Sequence, residues 1–147
     1  MMKRIDVGPI IIESNILLPV ADEGIRAGFP SPAQDYMDVA IDLNKELIKN
    51  PSTTFYGRVK GDSMIDADVY DGDILVIDKS IEPQDNDMAV CYLDGEFTLK
   101  YIEIHKDVIY LVPANSKYKK IVVTSDQNLI IWGIVTYVIH KARKRKR

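Results

Sequence analysis

The stretch Met88-Ala89-Val90-Cys91-Tyr92-Leu93-Asp94-Gly95-Glu96-Phe97-Thr98-Leu99-Lys100-Tyr101-Ile102-Glu103-Ile104 reads as two strands joined by a two-residue turn. Both arms are rich in β-branched and aromatic residues, which suit a pleated, half-buried surface. Asp-Gly is a strong hairpin signal because the tight turn needs positive φ at both central positions. Side chains alternate along the second arm, so Thr98, Lys100, Ile102 and Ile104 share a face. Lys100 therefore stands where an aliphatic side chain is expected. Burial on that stripe penalises the ammonium and drives a lysine toward the neutral amine, which is a competent general base.

The same signals recur along the chain. Strands are predicted over 54–59, 73–77, 88–93, 96–104, 108–112, 121–124 and 129–139, with Asp71-Gly72 as a further turn. The expected fold is mainly β, built of twisted antiparallel sheets, with an extended N-terminal arm and a short helical segment. In the arm, Ile10-Ile11-Ile12 and Ile16-Leu17-Leu18-Pro19 are too short and proline-broken for a helix. Ala27-Gly28-Phe29-Pro30-Ser31-Pro32 reads as an accessible connector, since each proline pushes its predecessor toward extended geometry. Ser31, Pro32 and Gln34 fit a helix start, predicting a helix over 32–48 with a second cap at Asp42 and a stop at Asn50-Pro51. The chain divides into an arm (1–31), a β-rich body (32–140) and a basic tail (141–147).

A base implies a nucleophile, and the best candidate is Ser63 in Gly61-Asp62-Ser63-Met64, where glycine permits a tight turn and close approach to a carbonyl. Two readings stand side by side. In one, Ser63 and Lys100 form a Ser/Lys peptidase dyad. In the other, Lys100 carries its head to the sheet rim and Ser63 is an ordinary turn serine.

Composition narrows the alternatives. With 147 residues, 46% hydrophobic and 28% charged, the chain has the balance of a single soluble globular domain. No apolar run reaches the ~18 residues of a membrane span and no secretory leader is recognisable, so a cytoplasmic location is expected. The lone Cys91 lies in an apolar run and reads as buried and inert. His105 and His140, the two histidines, show no ligand spacing with it, so no metal or other cofactor is expected, and a Ser-His-Asp triad is the weaker rival. Asp62, Asp66, Asp68, Asp71 and Asp73 lack the glycine and glutamate of a calcium loop. The formal charge of −3 hides an asymmetry: Lys141, Arg143, Lys144, Arg145, Lys146 and Arg147 are six cations, leaving −9 for the rest. Such a tail either contacts phosphates weakly or is merely solvated.

Taken together, Ala27-Gly28-Phe29-Pro30-Ser31-Pro32-Ala33, Ile41-Asp42-Leu43-Asn44, Gly61-Asp62-Ser63-Met64-Ile65-Asp66, Asp71-Gly72-Asp73 and Asp94-Gly95-Glu96-Phe97-Thr98-Leu99-Lys100 resemble the LexA/UmuD family of self-cleaving Ser/Lys peptidases. The resemblance covers about residues 25 to 139 and keeps the family's order and spacing. It implies a LexA-type catalytic domain, with Ser63 as nucleophile, Lys100 as base and Ala27-Gly28 as the scissile bond. Ala27 stands where UmuD commonly has cysteine and where LexA-type repressors have alanine. The arm before Ala27 is shorter than a helix-turn-helix domain, which favours the UmuD side of the family.

The resemblance further implies a homodimer, cleavage stimulated by a RecA–single-stranded DNA filament, and a shortened product that joins a Y-family, UmuC-like polymerase for translesion synthesis in the SOS response. The rival classes are a non-catalytic polymerase or DNA adaptor on the same fold, and a signal-peptidase relative, for which a membrane anchor would be expected.

Overall fold

The hairpin organises what surrounds it. In the computed structural model, which describes residues 5–10, 17–20 and 39–142, the strands are β1 (Ile5–Pro9), β2 (Leu17–Val20), β3 (Val39–Asp42), β4 (Thr54–Val59), β5 (Ile74–Asp78), β6 (Met88–Leu93), β7 (Glu96–Ile104), β8 (Ile109–Val112), β9 (Ile121–Val123) and β10 (Leu129–Ile139). β6 and β7 pair antiparallel from Met88 opposite Tyr101 to Leu93 opposite Glu96. Asp94 and Gly95 turn the chain with φ of 49° and 88°, as a hairpin of this length requires.

Residues 1–10 and 50–147 form one compact unit and residues 11–49 a second. In the first, eight strands make one antiparallel sheet in the order β1-β4-β5-β10-β6-β7-β8-β9. The mainly β expectation holds, and four of the seven predicted strands begin and end where they were placed. β10 is the long central strand, paired to both β5 and β6. Its register shifts between Ile131 and Gly133 and between Val135 and Tyr137, as bulges let a strand bend toward different neighbours.

Both faces of the central strands are covered. Ile5, Val59, Met64, Val69, Leu75, Ile77, Val90 and Leu99 make one buried cluster, and Ala89, Cys91, Leu93, Ile102, Leu111, Val123 and Ile134 another. This is why β6 reads as a nearly continuous apolar run instead of an alternating one. Each fully buried aliphatic side chain contributes about 1.5–3 kcal/mol relative to exposure.

The second unit corrects the helix expectation. Of the predicted helix over 32–48, residues 32–38 lie outside the described residues, and Val39–Asp42 is strand β3, paired with β2 from Leu17 opposite Asp42 to Val20 opposite Val39. Helix α1 spans only Leu43–Leu47, capped where Asp42 Oδ1 accepts from Asn44 N at 3.0 Å. Val39 and Ile41 are β-branched and lose side-chain freedom in a helix, and β2 supplies the ladder that draws them into a strand.

Candidate active site

Three elements bring the chemistry together. Ser63 follows Gly61, whose φ of 96° lies in the region open chiefly to glycine. The turn continues into a single helical turn at Ile65–Ala67, closed by Asp68 with a left-handed φ of 57°. Met64, at its start, is fully buried in the first core cluster and anchors the turn from below. Lys100 comes from the middle of β7, with Ala89 of β6 directly opposite. That small neighbour leaves room for the long side chain.

Ser63 is 2% exposed and Lys100 3%. Lys100 Nζ lies 3.2 Å from Ser63 Oγ, across 37 residues of chain. It also donates to Thr98 Oγ1 at 2.7 Å and to the carbonyl of Leu99 at 3.1 Å. All three of these acceptors are neutral oxygens. The sequence reading placed Thr98 on the face of Lys100 but assigned it no part, whereas Thr98, itself fully buried, orients the amine. Of the predicted stripe, Thr98, Lys100 and Ile102 are buried and Ile104 is 41% exposed, because it ends the strand.

Burial pushes the nearby Cys91 thiol up to about 12, with the Lys100 charge opposing that rise. Cys91 faces Thr98 across the hairpin and is protonated and inert at neutral pH.

Sequence reasoning missed the connection between β8 and β9, residues 113–120. Asn115, only 6% exposed, donates from Nδ2 to the carbonyl of Asp62 at 2.7 Å, and Tyr118 donates its hydroxyl to Asp62 Oδ1 at 2.7 Å. Asp66 N donates to the Ala114 carbonyl at 2.7 Å, and Ala114 N to Met64 Sδ at 3.3 Å. The residue before Ser63 and the residues after it are thus held from one loop. Pro113-Ala114-Asn115 followed by Tyr118 is a turn-rich polar patch between two apolar strands, and that was the only signal available.

The other candidates find structural employment. Asp71 Oδ1 accepts from Gly61 N at 2.5 Å, Asp73 Oδ2 from Tyr70 N at 2.8 Å and Asp68 Oδ1 from the Tyr70 hydroxyl at 3.0 Å. Among the described residues no group of three or more His, Cys, Asp or Glu could hold a metal ion. His105 sits in the β7–β8 turn, 3.4 Å from Glu103. His140 Nδ1 lies 3.4 Å from Asp73, but the neighbour of the Ser63 hydroxyl is the amine of Lys100 and not an imidazole. Ala27 and Gly28 lie outside the described residues, as do tail residues 143–147. No helix among the described residues is long and apolar enough to cross a membrane.

Comparison with known proteins agrees in kind with this geometry. The profile of the family described as peptidase S24-like matches residues 19–136. Protein SamA of Salmonella typhimurium is 41% identical over 125 residues, 85% of this chain and 86% of SamA. Protein ImpA of Escherichia coli is 35% identical over 133 residues, 90% of each chain. The LexA repressor of Alcanivorax borkumensis is 35% identical over 122 residues, 83% of this chain and 58% of the repressor.

Proposed function

The chain belongs to the peptidase S24-like family, at the LexA/UmuD-type end of it, and on that premise we propose that it is a self-cleaving serine peptidase of the DNA-damage response. The carrying observation is the pair of buried side chains, Lys100 Nζ and Ser63 Oγ, 3.2 Å apart. In its neutral form the amine has two N–H bonds and one lone pair. Thr98 Oγ1 and the Leu99 carbonyl accept N–H bonds from it, and in the proposed cycle its lone pair takes up the Ser63 proton across the 3.2 Å between Nζ and Oγ.

Lys100 accepts the Ser63 proton as Oγ attacks the Ala27 carbonyl carbon. Backbone N–H groups of the Ser63 turn hold the oxyanion, each such donor being worth on the order of 3 kcal/mol. The ammonium then returns its proton to the departing Gly28 nitrogen, leaving an ester between Ser63 and Ala27. Water, deprotonated by the same amine, hydrolyses the ester and restores Ser63. One lysine performs each transfer.

In this reading residues 1–31 are the arm carrying the cleaved bond, 32–140 the peptidase and dimerisation body, and 141–147 a basic tail able to contact nucleic acid weakly. The protein works in the cytoplasm as a homodimer. A RecA–single-stranded DNA filament stimulates cleavage by stabilising the reactive pose of the arm, and the product serves, like UmuD′, as a subunit of an error-prone Y-family polymerase in SOS mutagenesis. The relatedness to SamA and ImpA over most of each chain supports this placement within the family.

The test is the mass of purified protein after incubation with activated RecA filament. A new fragment beginning at Gly28, absent from Ser63→Ala protein, is the expected result. An intact chain under those conditions favours the non-catalytic adaptor.

A further inference from the structure

The arm is not wholly separate from the body. β1 pairs antiparallel with β4 over five residues, Ile5 opposite Val59 through Pro9 opposite Phe55, and Ile10 N continues the ladder to the Thr54 carbonyl at 3.3 Å. Its side chains alternate as a paired edge strand requires. Ile5 is 5% exposed and belongs to the same core cluster as Met64 and Leu99, with Val7 packed against it. Asp6, pointing outward, meets Lys60 at 2.9 Å on the exposed side, which contributes little.

The fit is specific to shape. A methyl added to Gly57 would stand 3.0 Å from Ile5 Cγ2 and 3.1 Å from Ile77 Cδ1, so the bare backbone of Gly57 is the notch that Ile5 fills. In the reverse sense, a methyl on Gly8 would stand 3.2 Å from Cζ and from the hydroxyl oxygen of Tyr56, so the ring lies over the strand where Gly8 has no side chain. One strand offers a branched aliphatic to a gap in the other and receives an aromatic ring in return.

We propose that the edge of β4 is a strand-acceptor site, and that β1 remains its occupant after the chain is cut between Ala27 and Gly28. The segment 1–27 then stays bound noncovalently, through β1 on β4 in addition to β2 on β3. The site takes an extended antiparallel peptide with a branched aliphatic residue opposite Val59 and a glycine opposite Tyr56. The amide ladder supplies sequence-independent binding and the two shape contacts supply selectivity. In the intact chain the tether keeps β1 at high effective concentration. Once the tether is cut, the strand becomes exchangeable, and a peptide of the same pattern competes for the edge. Its importance in the cell rests on the proposed self-cleavage, but the docking itself does not.

The experiment uses full-length Ser63→Ala protein with the recognition sequence of a site-specific protease inserted between Ile12 and Glu13, so that the piece set free carries β1 but not β2, which pairs separately with β3. After cutting with that protease, size-exclusion chromatography and mass spectrometry at low micromolar protein should find the N-terminal fragment co-eluting with the body. Ile5→Asp and, separately, Gly8→Val should each raise the released fraction about ten-fold or more, the first by burying a charge and the second by colliding with Tyr56. Trp132 fluorescence checks that the body stays folded. A synthetic peptide of residues 1–12 in excess should displace the retained fragment, and the same peptide with Ile5→Asp should not. Release from the cut parent as complete as from the Ile5→Asp version overturns the proposal, as does displacement by both peptides alike. Because an added protease makes the cut, these outcomes leave self-cleavage untouched, and a parent chain that never cleaves itself leaves them unchanged.

Discussion

Tyr118 donates its hydroxyl to the carboxylate of Asp62 at 2.7 Å, bridging 56 residues to hold the position immediately before Ser63. The hydrogen bond raises the tyrosine above its ordinary range, with desolvation and the Asp62 charge acting the same way. A raised tyrosine contributes stability that is fully present below its ordinary value, near 10, and lost as pH climbs through the raised one. Tyr118→Phe should therefore leave the fold intact at neutral pH, slow self-cleavage several-fold and remove this alkaline component of stability. Cleavage rate together with a thermal-melt series from pH 8 to 11 measures all three. An unchanged rate would mean that the contacts from Asn115 and Ala114 suffice to position the Ser63 turn.

Ser63→Ala and Lys100→Ala should each abolish self-cleavage, and the double variant should be no worse than either alone, because in the proposed mechanism nucleophile and base act as a unit. Lys100→Met is the informative companion. It keeps the bulk of the side chain and removes a buried amine, so stability should be unchanged or higher while cleavage is lost. Mass spectrometry and thermal melting check the two halves. Normal cleavage by folded Ser63→Ala protein would remove the assignment of the nucleophile.

Spontaneous cleavage should accelerate as pH rises from neutral into the alkaline range and level off once the amine is neutral, because the reactive form in the proposed mechanism is the neutral amine. With the filament added, the dependence should flatten if docking of the arm further desolvates Lys100. The measurement is the first-order rate across that range. A profile that peaks near the histidine range and declines above it would point to an imidazole base instead.

Asp78 predicts acid behaviour far from the dyad. Burial raises its carboxyl, but hydrogen bonds from Asn50, from the Ser80 amide and hydroxyl, and from Thr53 more than offset this and bring it to about 2. A depressed carboxyl contributes stability that is present above its ordinary value and lost as pH falls through the depressed one. Wild-type protein should lose about 2 kcal/mol between pH 4 and pH 2 from this group. Asp78→Asn should be less stable at pH 7 and lack that part of the acid transition, as measured by urea titrations along a pH series.

Deleting residues 141–147 tests the tail. If it binds DNA, the truncated protein should hold single strands more weakly and with a flatter salt dependence, the logarithmic slope falling by about 0.7 for each phosphate the tail had neutralised. Cleavage without filament should not change. Equal affinities at low and high salt would leave the tail a solvated appendage.

Strands and turns were legible residue by residue because their causes are local. Alternation along 96–104, β-branched runs and Asp94-Gly95 act over a few residues, so β4, β6, β7 and β10 were readable in full from the sequence. The candidate site residues stood out for a different reason: a cation on an apolar stripe is costly enough to be noticed, and Gly61-Asp62-Ser63-Met64 carries a family's spacing. Val39–Asp42 misled because a capped, polar-apolar segment satisfies helix rules until a partner strand, β2, offers a better ladder. Only the tertiary structure could decide that Lys100 Nζ comes within 3.2 Å of Ser63 Oγ, that Asn115 and Tyr118 hold the turn before it, and that Ile5 fills the gap above Gly57. Each of these joins residues 37 to 56 positions apart. Pairings at such separations are set by sheet order and register, which depend on the whole core, while a local pattern specifies no more than the face on which each residue lies.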